Sequence, residues 1–393
     1  MKTGHTPSRN NPDYWIDPDI PWFTLADVWQ LRDDRQVHLG NTASQISQRG
    51  LQNSAAELLP QHTVVLSRTA SIGFSGVMPI PMATSQDFWN WVCGPELIPE
   101  YLNYQFKSMR PELRSLNIGS THKTIYQKDA AGIRIFVPPV ATQRSIVAFL
   151  DRETARIDTL IEAQLRLVAT LRERRVAVAE NELSSLVWNV PLRTVATLIQ
   201  TGPFGSQLKS DEYEEGGVPV INPSHMVGGR IVPDPKVAVS DTKATELHRH
   251  ALAKGDLVLA RRGELGRCAV VDSSAVGFLC GTGSALVRPV SHRVASRFLA
   301  LALDSRAVRD SLALSSVGST MANLNSAIVA ALRVPIPTRS EQDLILFRVD
   351  QQTAKIHALI AEAERFVELS RERRSALIAA AVTGQIDVRH EAA

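Results

Sequence analysis

Gly119-Ser120-Thr121 opens a stretch that this chain spells twice, returning as Gly318-Ser319-Thr320, 199 residues further on. The register holds without a gap through Arg134/Arg333, Pro138/Pro337, Gln143/Gln342, Asp151/Asp350, Thr154/Thr353 and Ile157/Ile356. It runs on through Leu160-Ile161/Leu359-Ile360 to Arg172-Glu173-Arg174-Arg175, repeated as Arg371-Glu372-Arg373-Arg374. Solenoid units span about 20–50 residues, so a period this long marks two copies of a whole module. A protein built as two similar halves is expected to do one job at two related places.

Working outward, each repeat ends in a helix. From about 142 to 186, and again from about 340 to 383, there is no Gly or Pro. One seam runs Leu150, Thr154, Ile157, Ile161, Gln164, Val168, Leu171, with Leu160 and Leu167 expected to widen it. The second runs Val349, Thr353, Ile356, Ile360, Ala363, Val367, Leu377. Spacings of three then four suit a helix lying lengthwise on another helix. At about 1.5 Å per residue each would be about 60–65 Å long. Gly384 stands where a helix end takes a left-handed residue.

Ahead of each helix lies a strand-rich globule. In the first, strands are predicted around His62–Ser67 and Ile133–Val137; in the second, at Val218–Ile221, Leu257–Arg261 and Cys268–Val271. The globules align only in patches. Thr3-Gly4 answers Thr201-Gly202, Ile20-Pro21-Trp22 answers Val218-Pro219-Val220, and Val65-Leu66-Ser67-Arg68 answers Val258-Leu259-Ala260-Arg261. The predicted fold is α+β: mixed domains at 1–140 and 187–339, alternating with long helices at 141–186 and 340–393 that pair as an antiparallel coiled coil. The second globule has an approach segment, Val190 to Ile199, before its Thr-Gly, whereas the first has only Met1-Lys2. Either the first domain lacks that element or the sequence begins late.

The chain has 393 residues, 44% hydrophobic and 21% charged, ample for a core. A net charge of +3 and a pI near 8.8 permit a nucleic-acid partner without demanding one. Cys93, Cys268 and Cys280 show neither a disulfide framework nor zinc spacing. With no leader and no run of about 18 apolar residues, a cytoplasmic protein off the membrane is expected.

No active site assembles. Asn222-Pro223-Ser224-His225 lacks the second proline and the aromatic of a methyltransferase tetrad and reads as a turn. Gly281-Thr282-Gly283-Ser284 lacks the third glycine of a dinucleotide loop. Pro233-Asp234 with Asp241-Thr242-Lys243 only faintly resembles a nuclease centre. His248-Arg249-His250 has no cysteine partners and reads as a solvated basic turn. What repeats is polar and basic. Arg68 with Thr69 and Ser71, and Arg261-Arg262, each follow an apolar strand and precede a glycine, which suits presenting a guanidinium to phosphate or guanine. Ser120, Thr121 and Lys123, and Ser319, Thr320, Asn323 and Asn325, offer hydroxyls, an amine and amides for phosphate or base edges. Lys209 joins these as a DNA-binding candidate. Leu150, Ile157, Ile161, Val168 and Leu171, with Ile356, Ile360 and Val367, are the coiled-coil candidates.

In this duplicated order, the chain resembles the DNA-specificity subunit of type I restriction–modification systems. The resemblance rests on Thr3-Gly4-His5-Thr6-Pro7-Ser8, Tyr14-Trp15, Ile20-Pro21-Trp22, Gly119-Ser120-Thr121, Ile135-Phe136-Val137-Pro138-Pro139-Val140 into Gln143, and the helix from Asp151 to Arg175. The second copy supplies Thr201-Gly202-Pro203-Phe204-Gly205-Ser206, Gly318-Ser319-Thr320, Val334-Pro335-Ile336-Pro337 and the helix from Asp350 to Arg374. It implies a non-catalytic reader of a two-part, asymmetric site in double-stranded DNA. Its coiled coil would fix the separation of the readers and dock two methyltransferase subunits, with restriction (helicase-nuclease) subunits joining them. The reader itself would hold no metal or cofactor, with S-adenosylmethionine, ATP and Mg²⁺ on the partners. The rival readings are a coiled-coil adaptor with two protein-binding domains and a single-chain restriction or methylation enzyme.

Overall fold

The structure, a computed structural model, describes residues 1–116, 124–263, 265–315 and 324–388. Both heptad stretches are single α-helices of 44 residues, Val140–Leu183 and Arg339–Val382, each about 66 Å long. Pro138 and Pro139 precede the first, and Gly384, at φ +75°, terminates the second in the left-handed conformation expected of it. The chain divides into two compact units, Met1–Val168 with Glu362–Ala393, and Ala169–Ala361. Each unit takes part of both long helices, because an apolar seam is buried only where two helices meet.

In the first unit the early half of the first long helix meets the late half of the second. Ile146, Phe149 and Leu150 cluster with Ile378, Ala381 and Val382, and Ile157 and Ile161 with Val367. Asp158 meets Arg374 at 3.2 Å. In the second unit late residues meet early ones: Leu183 clusters with Ile345 and Val349, Glu182 reaches Arg348 at 3.6 Å, and Arg175 reaches His357 at 3.3 Å. The pairing is antiparallel in each unit. Val168, Leu171 and Ile356 are also buried, while Ile360 is half-buried. Full burial of one such side chain contributes about 1.5–3 kcal/mol. The seam threonines spend their hydroxyls on their own helix, Thr154 on the Leu150 carbonyl (2.6 Å) and Thr353 on that of Val349 (2.7 Å). Leu160 and Leu167 do not widen the seam; they face outward, 50% and 44% exposed.

The globules repeat one another in their four-stranded and three-stranded sheets, and the second adds strands of its own. The first unit holds β1 (Lys2–Thr3), β2 (Ile20–Phe23), β3 (Gln45–Ile46), β4 (Val64–Ser67), β5 (Ser75–Val77), β6 (Ala83–Thr84) and β7 (Phe88–Trp91). The second holds β8 (Val190–Pro191), β9 (Ala196–Thr201), β10 (Val218–Ile221), β11 (Met226–Val227), β12 (Arg230–Ile231), β13 (Ala238–Val239), β14 (Leu257–Ala260), β15 (Cys268–Val270), β16 (Leu279–Cys280), β17 (Ser284–Pro289) and β18 (Arg333–Val334). The antiparallel order β1-β7-β4-β5 recurs as β9-β17-β14-β15. Likewise β2, antiparallel to β3 and parallel to β6, recurs as β10 between β13 and β16. The Thr-Gly pair is explained by close approach. A Cβ on Gly4 would fall 2.2 Å from the Thr84 oxygen, and one on Gly202 1.9 Å from the Gly281 oxygen.

A buried glutamine joins each globule to its helix. Gln143 Oε1 accepts the Ile98 amide (2.8 Å), and its Nε2 donates to the Glu96 and Pro138 carbonyls (both 2.7 Å). Gln342 repeats this with the Ala295 amide (2.8 Å) and the Arg293 (3.0 Å) and Pro337 (2.9 Å) carbonyls. Ile98 and Ala295 are the N-caps of the helices Pro99–Ser108 and Ser296–Leu303, neither of which has a side-chain cap of its own.

The strand predicted at Ile133–Val137 does not form. Its counterpart β18 pairs with β8, whereas Arg134 and Ile135 have no partner strand among the described residues. The Phe136 carbonyl instead accepts from the Tyr101 hydroxyl (3.0 Å) and Gln105 Nε2 (3.3 Å), which also reach the Val382 carbonyl. Beyond Gly384, Ile386 and Val388 pack onto the cluster of Tyr101, Phe149 and Val382.

Replacing Gln143 or Gln342 by alanine would strand one amide and two carbonyls in the interior, at about 2–4 kcal/mol. Hydrogen exchange should then show lost protection in the unit carrying the change and wild-type protection in the other. Unchanged protection in both would show that the glutamine contributes nothing.

Candidate nucleic-acid interface

In the second unit the ends of β9, β10, β14 and β16 and the start of β17 converge. Gly202 donates its amide to the Ser284 carbonyl (2.9 Å), Arg261 to Gly283 (2.9 Å) and Gly281 to Ile221 (2.8 Å). The Gly283 amide meets Asn222 Oδ1 at 3.2 Å. The first unit builds the same end: His5 donates to the Thr84 carbonyl (3.0 Å), Ser85 to Phe23 (2.9 Å) and Arg68 to Asp87 (2.9 Å). Asp87 also takes the Thr69 hydroxyl (2.6 Å) and the Ser85 hydroxyl (2.9 Å). These loop ends carry glycines, hydroxyls and arginines, the groups that meet phosphates and base edges.

The two strand-end arginines occupy equivalent backbone positions. Arg68 accepts the Ile125 amide at 2.9 Å, and Arg261 that of Leu324 at 3.3 Å. Their side chains part company. Arg68 lies half-buried with its guanidinium 4.5 Å from the Trp89 ring centre. Burial lowers its pKa, and Asp87 opposes the shift. Arg261 is only 7% exposed; its Nε donates to the Leu324 carbonyl and its Nη1 to Thr282 (3.3 Å). Although expected to face DNA, Arg261 is turned inward because these carbonyls need donors. Arg262 beside it is exposed.

Of the other candidates, Lys209 is exposed, with its amide on Glu212 (2.6 Å), and Ser71 is half-buried beside Ala70 in the first turn. Asn325 caps the helix Ser326–Ala331 through the Ile328 amide (2.9 Å), so its carbonyl oxygen is engaged locally. Ser120, Thr121, Lys123, Ser319, Thr320 and Asn323 lie outside the described residues. Sequence reasoning missed Asp87, which organises the first turn, and Trp89. No local pattern marks Trp89: its place follows from the pairing of β4 with β7, which sets Leu66 opposite Trp89 as Leu259 is set opposite Ala285.

The groups set aside as catalysts are structural here. Asn222 to His225 forms a short 3-10 turn, with His225 Nδ1 at 3.1 Å from the Val220 carbonyl. Asp234 accepts the Lys236 amide, while Lys243 pairs with Glu212 (2.7 Å) and Glu246 (3.2 Å). Burial pushes the Cys280 thiol up to about 12 and Cys268 higher still, far from thiolate chemistry at neutral pH. His250 departs from the solvated turn expected of it. It is 2% exposed, with Gln200 at 3.0 Å from Nδ1 and Arg249 Nε at 3.2 Å from Nε2.

The match to known proteins follows this duplication. The family model for the type I restriction modification DNA specificity domain matches residues 1–168 and 190–365, and the chain belongs to that family. It is 28% identical over 161 residues, 40% of this chain and 35% of the relative, to the type I restriction enzyme MjaIX specificity subunit of Methanocaldococcus jannaschii. It is 24% identical over 201 residues, 50% of this chain and 42% of the relative, to the StySPI specificity subunit of Salmonella potsdam. The chain thus spans well under half the length of these curated relatives. The fold is that of a chain solved in work on complex assembly and conformational transition of the type I R-M system, with TM-score 0.70 at 15% identity over 98% of this chain and 96% of that one. An HsdS subunit from Thermoanaerobacter tengcongensis follows at TM-score 0.51 and 16% identity, over 98% and 95% of the two chains. No helix among the described residues is long and apolar enough to cross a membrane.

Position 70 is an alanine at φ +51°, where its counterpart Gly263 has φ +72° and open space around a Cβ. Ala70→Gly should therefore stabilise the first unit by about 1 kcal/mol, and Gly263→Ala destabilise the second by a similar amount. Denaturant titration checks both signs. Burial, and then the charge of Arg249, lower His250 to about 4 from its usual 6.5. The folded state thus binds the proton more weakly than the unfolded one. Its contribution is complete above pH 6.5 and lost as pH falls through 6.5 towards 4, up to about 3 kcal/mol. His250→Gln should flatten that acid limb of a stability–pH profile.

Proposed function

We propose that the chain is the non-catalytic specificity subunit of a type I restriction–modification complex, reading a two-part, asymmetric sequence in double-stranded DNA. The observation that carries this reading is that one loop-bearing end is built twice on one backbone plan, with different side chains at equivalent places. Two readers with one scaffold and two surfaces recognise two different half-sequences. The long helices hold the two readers on one support. The complex works on DNA in the cytoplasm, and S-adenosylmethionine, ATP and Mg²⁺ act on its partner subunits.

The helices also carry paired apolar side chains that the seam leaves outside. Leu160 and Leu167, seven residues apart, are 50% and 44% exposed, and their counterparts Leu359 and Phe366 are 49% and 40% exposed. Equivalent exposed pairs on two equivalent helices suit two copies of one partner. That partner is the methyltransferase subunit, through which restriction subunits join.

Selection from a randomised duplex pool should recover a two-part sequence with an unspecified spacer. Recovery of no sequence, or of a palindrome, would defeat the reading. Leu160→Glu with Leu167→Glu should lower the methyltransferase stoichiometry from two to one by native mass spectrometry, as should Leu359→Glu with Phe366→Glu. Retention of two partners by both variants would remove these faces from the docking surface.

A further inference from the structure

The duplicated strand-end turn differs between the copies in a reciprocal way. In the first unit the Ile125 carbonyl is satisfied by Trp89 Nε1 at 2.9 Å. That leaves the Arg68 guanidinium stacked on the same indole, donating no hydrogen bond among the described residues; its Nε has no partner there. The next residue, Thr69, is tied to Asp87. In the second unit Ala285 stands in the Trp89 place, and no indole reaches the equivalent Leu324 carbonyl. Arg261 supplies that donor instead and binds Thr282 as well. The next residue, Arg262, occupies the Thr69 position, is exposed and has no partner among the described residues.

From this exchange we infer that the arginine contact to DNA is offset by one residue between the two readers: Arg68 in the first, Arg262 in the second. Arg261 is a positioning residue that ties the end of β14 to the segment entering the helix Ser326–Ala331. The inference rests on the proposed function and refines it. A buried carbonyl must find a donor, so losing the indole commits one guanidinium to the interior. A guanidinium stacked on an aromatic face keeps its edge open to a phosphate or a guanine, and an exposed one with no partner among the described residues is open in the same way.

The test uses the full chain and the duplex that the wild-type protein recovers from a randomised pool. Arg262→Ala should keep the wild-type melting temperature, Arg68→Ala should lower it only by what the stacking on Trp89 contributes, and each should weaken binding of the folded protein roughly 10-fold or more. A base contact relaxes only the half-sequence read by the altered unit, whereas a phosphate contact weakens all duplexes and flattens the salt dependence. Arg261→Ala should lower the melting temperature by roughly 4 °C or more. Arg261→Lys, able to reach one carbonyl but not both, should fall between, and its folded fraction should recover the wild-type sequence. Wild-type affinity in Arg68→Ala or Arg262→Ala overturns the inference, as does lost affinity at an unchanged melting temperature in either Arg261 variant. Failure of the wild-type chain to recover any sequence defeats the DNA reading itself.

Discussion

A helix with one apolar face cannot stand alone in water, and the two long helices of this chain set the terms for everything else. Each is 44 residues long, so its seam must be covered along its whole length. The first half of one is covered by the last half of the other within one unit, and the reverse holds within the second unit. The two units are therefore not successive segments of chain. Each draws on sequence from both ends of the repeat, which is why register was kept through the helices while the globules drifted.

Where a backbone contact is shared, its side chains have been exchanged under a common constraint. Asp158 and His357 are equivalent, and so are Arg175 and Arg374; the same cross-helix meeting is an ion pair in one unit and an arginine–imidazole contact in the other. Tyr101 and Gln105 satisfy the Phe136 and Val382 carbonyls in the first unit, where the second places Phe298 and Ala302 in the core. Asp151 accepts the Tyr104 hydroxyl (2.6 Å), while Asp350 takes Arg297 through both oxygens (3.0 and 2.7 Å). In the two polar exchanges the meeting side chains still find a polar partner across the same contact.

The helices and their seam were legible because periodicity depends only on spacing, and Leu150, Ile157 and Ile356 are buried as the heptads require. Leu160 and Leu167 were misread for the same reason: a period says which residues share a face and not how wide the partner is. The Thr-Gly pairs and strand ends were legible through the repeat itself. The direction of the Arg261 side chain was not, since it depends on an alanine in a different strand. His250 was misjudged because its tripeptide is hydrophilic, while its burial comes from Gln200 on β9 and a cover no local pattern records. The strand expected at Ile133–Val137 had the right composition, yet a strand exists only where a second one pairs with it.

The buried glutamines have a consequence for inheritance. Gln143 and Gln342 bind only main-chain atoms, an amide and two carbonyls each. Besides Pro138 and Pro337, the residues supplying those atoms are Glu96 and Ile98 in one unit and Arg293 and Ala295 in the other, a charge reversal and a large change of volume that the bonds do not register. These two glutamine bonds therefore place no demand on the side chains of the globule, unlike the Tyr104–Asp151 and Arg297–Asp350 contacts beside them. Recombination that swaps the segment ahead of Pro138 or Pro337 for a foreign one on the same backbone plan would find this part of the attachment already made, leaving only the side-chain contacts around it to be rematched.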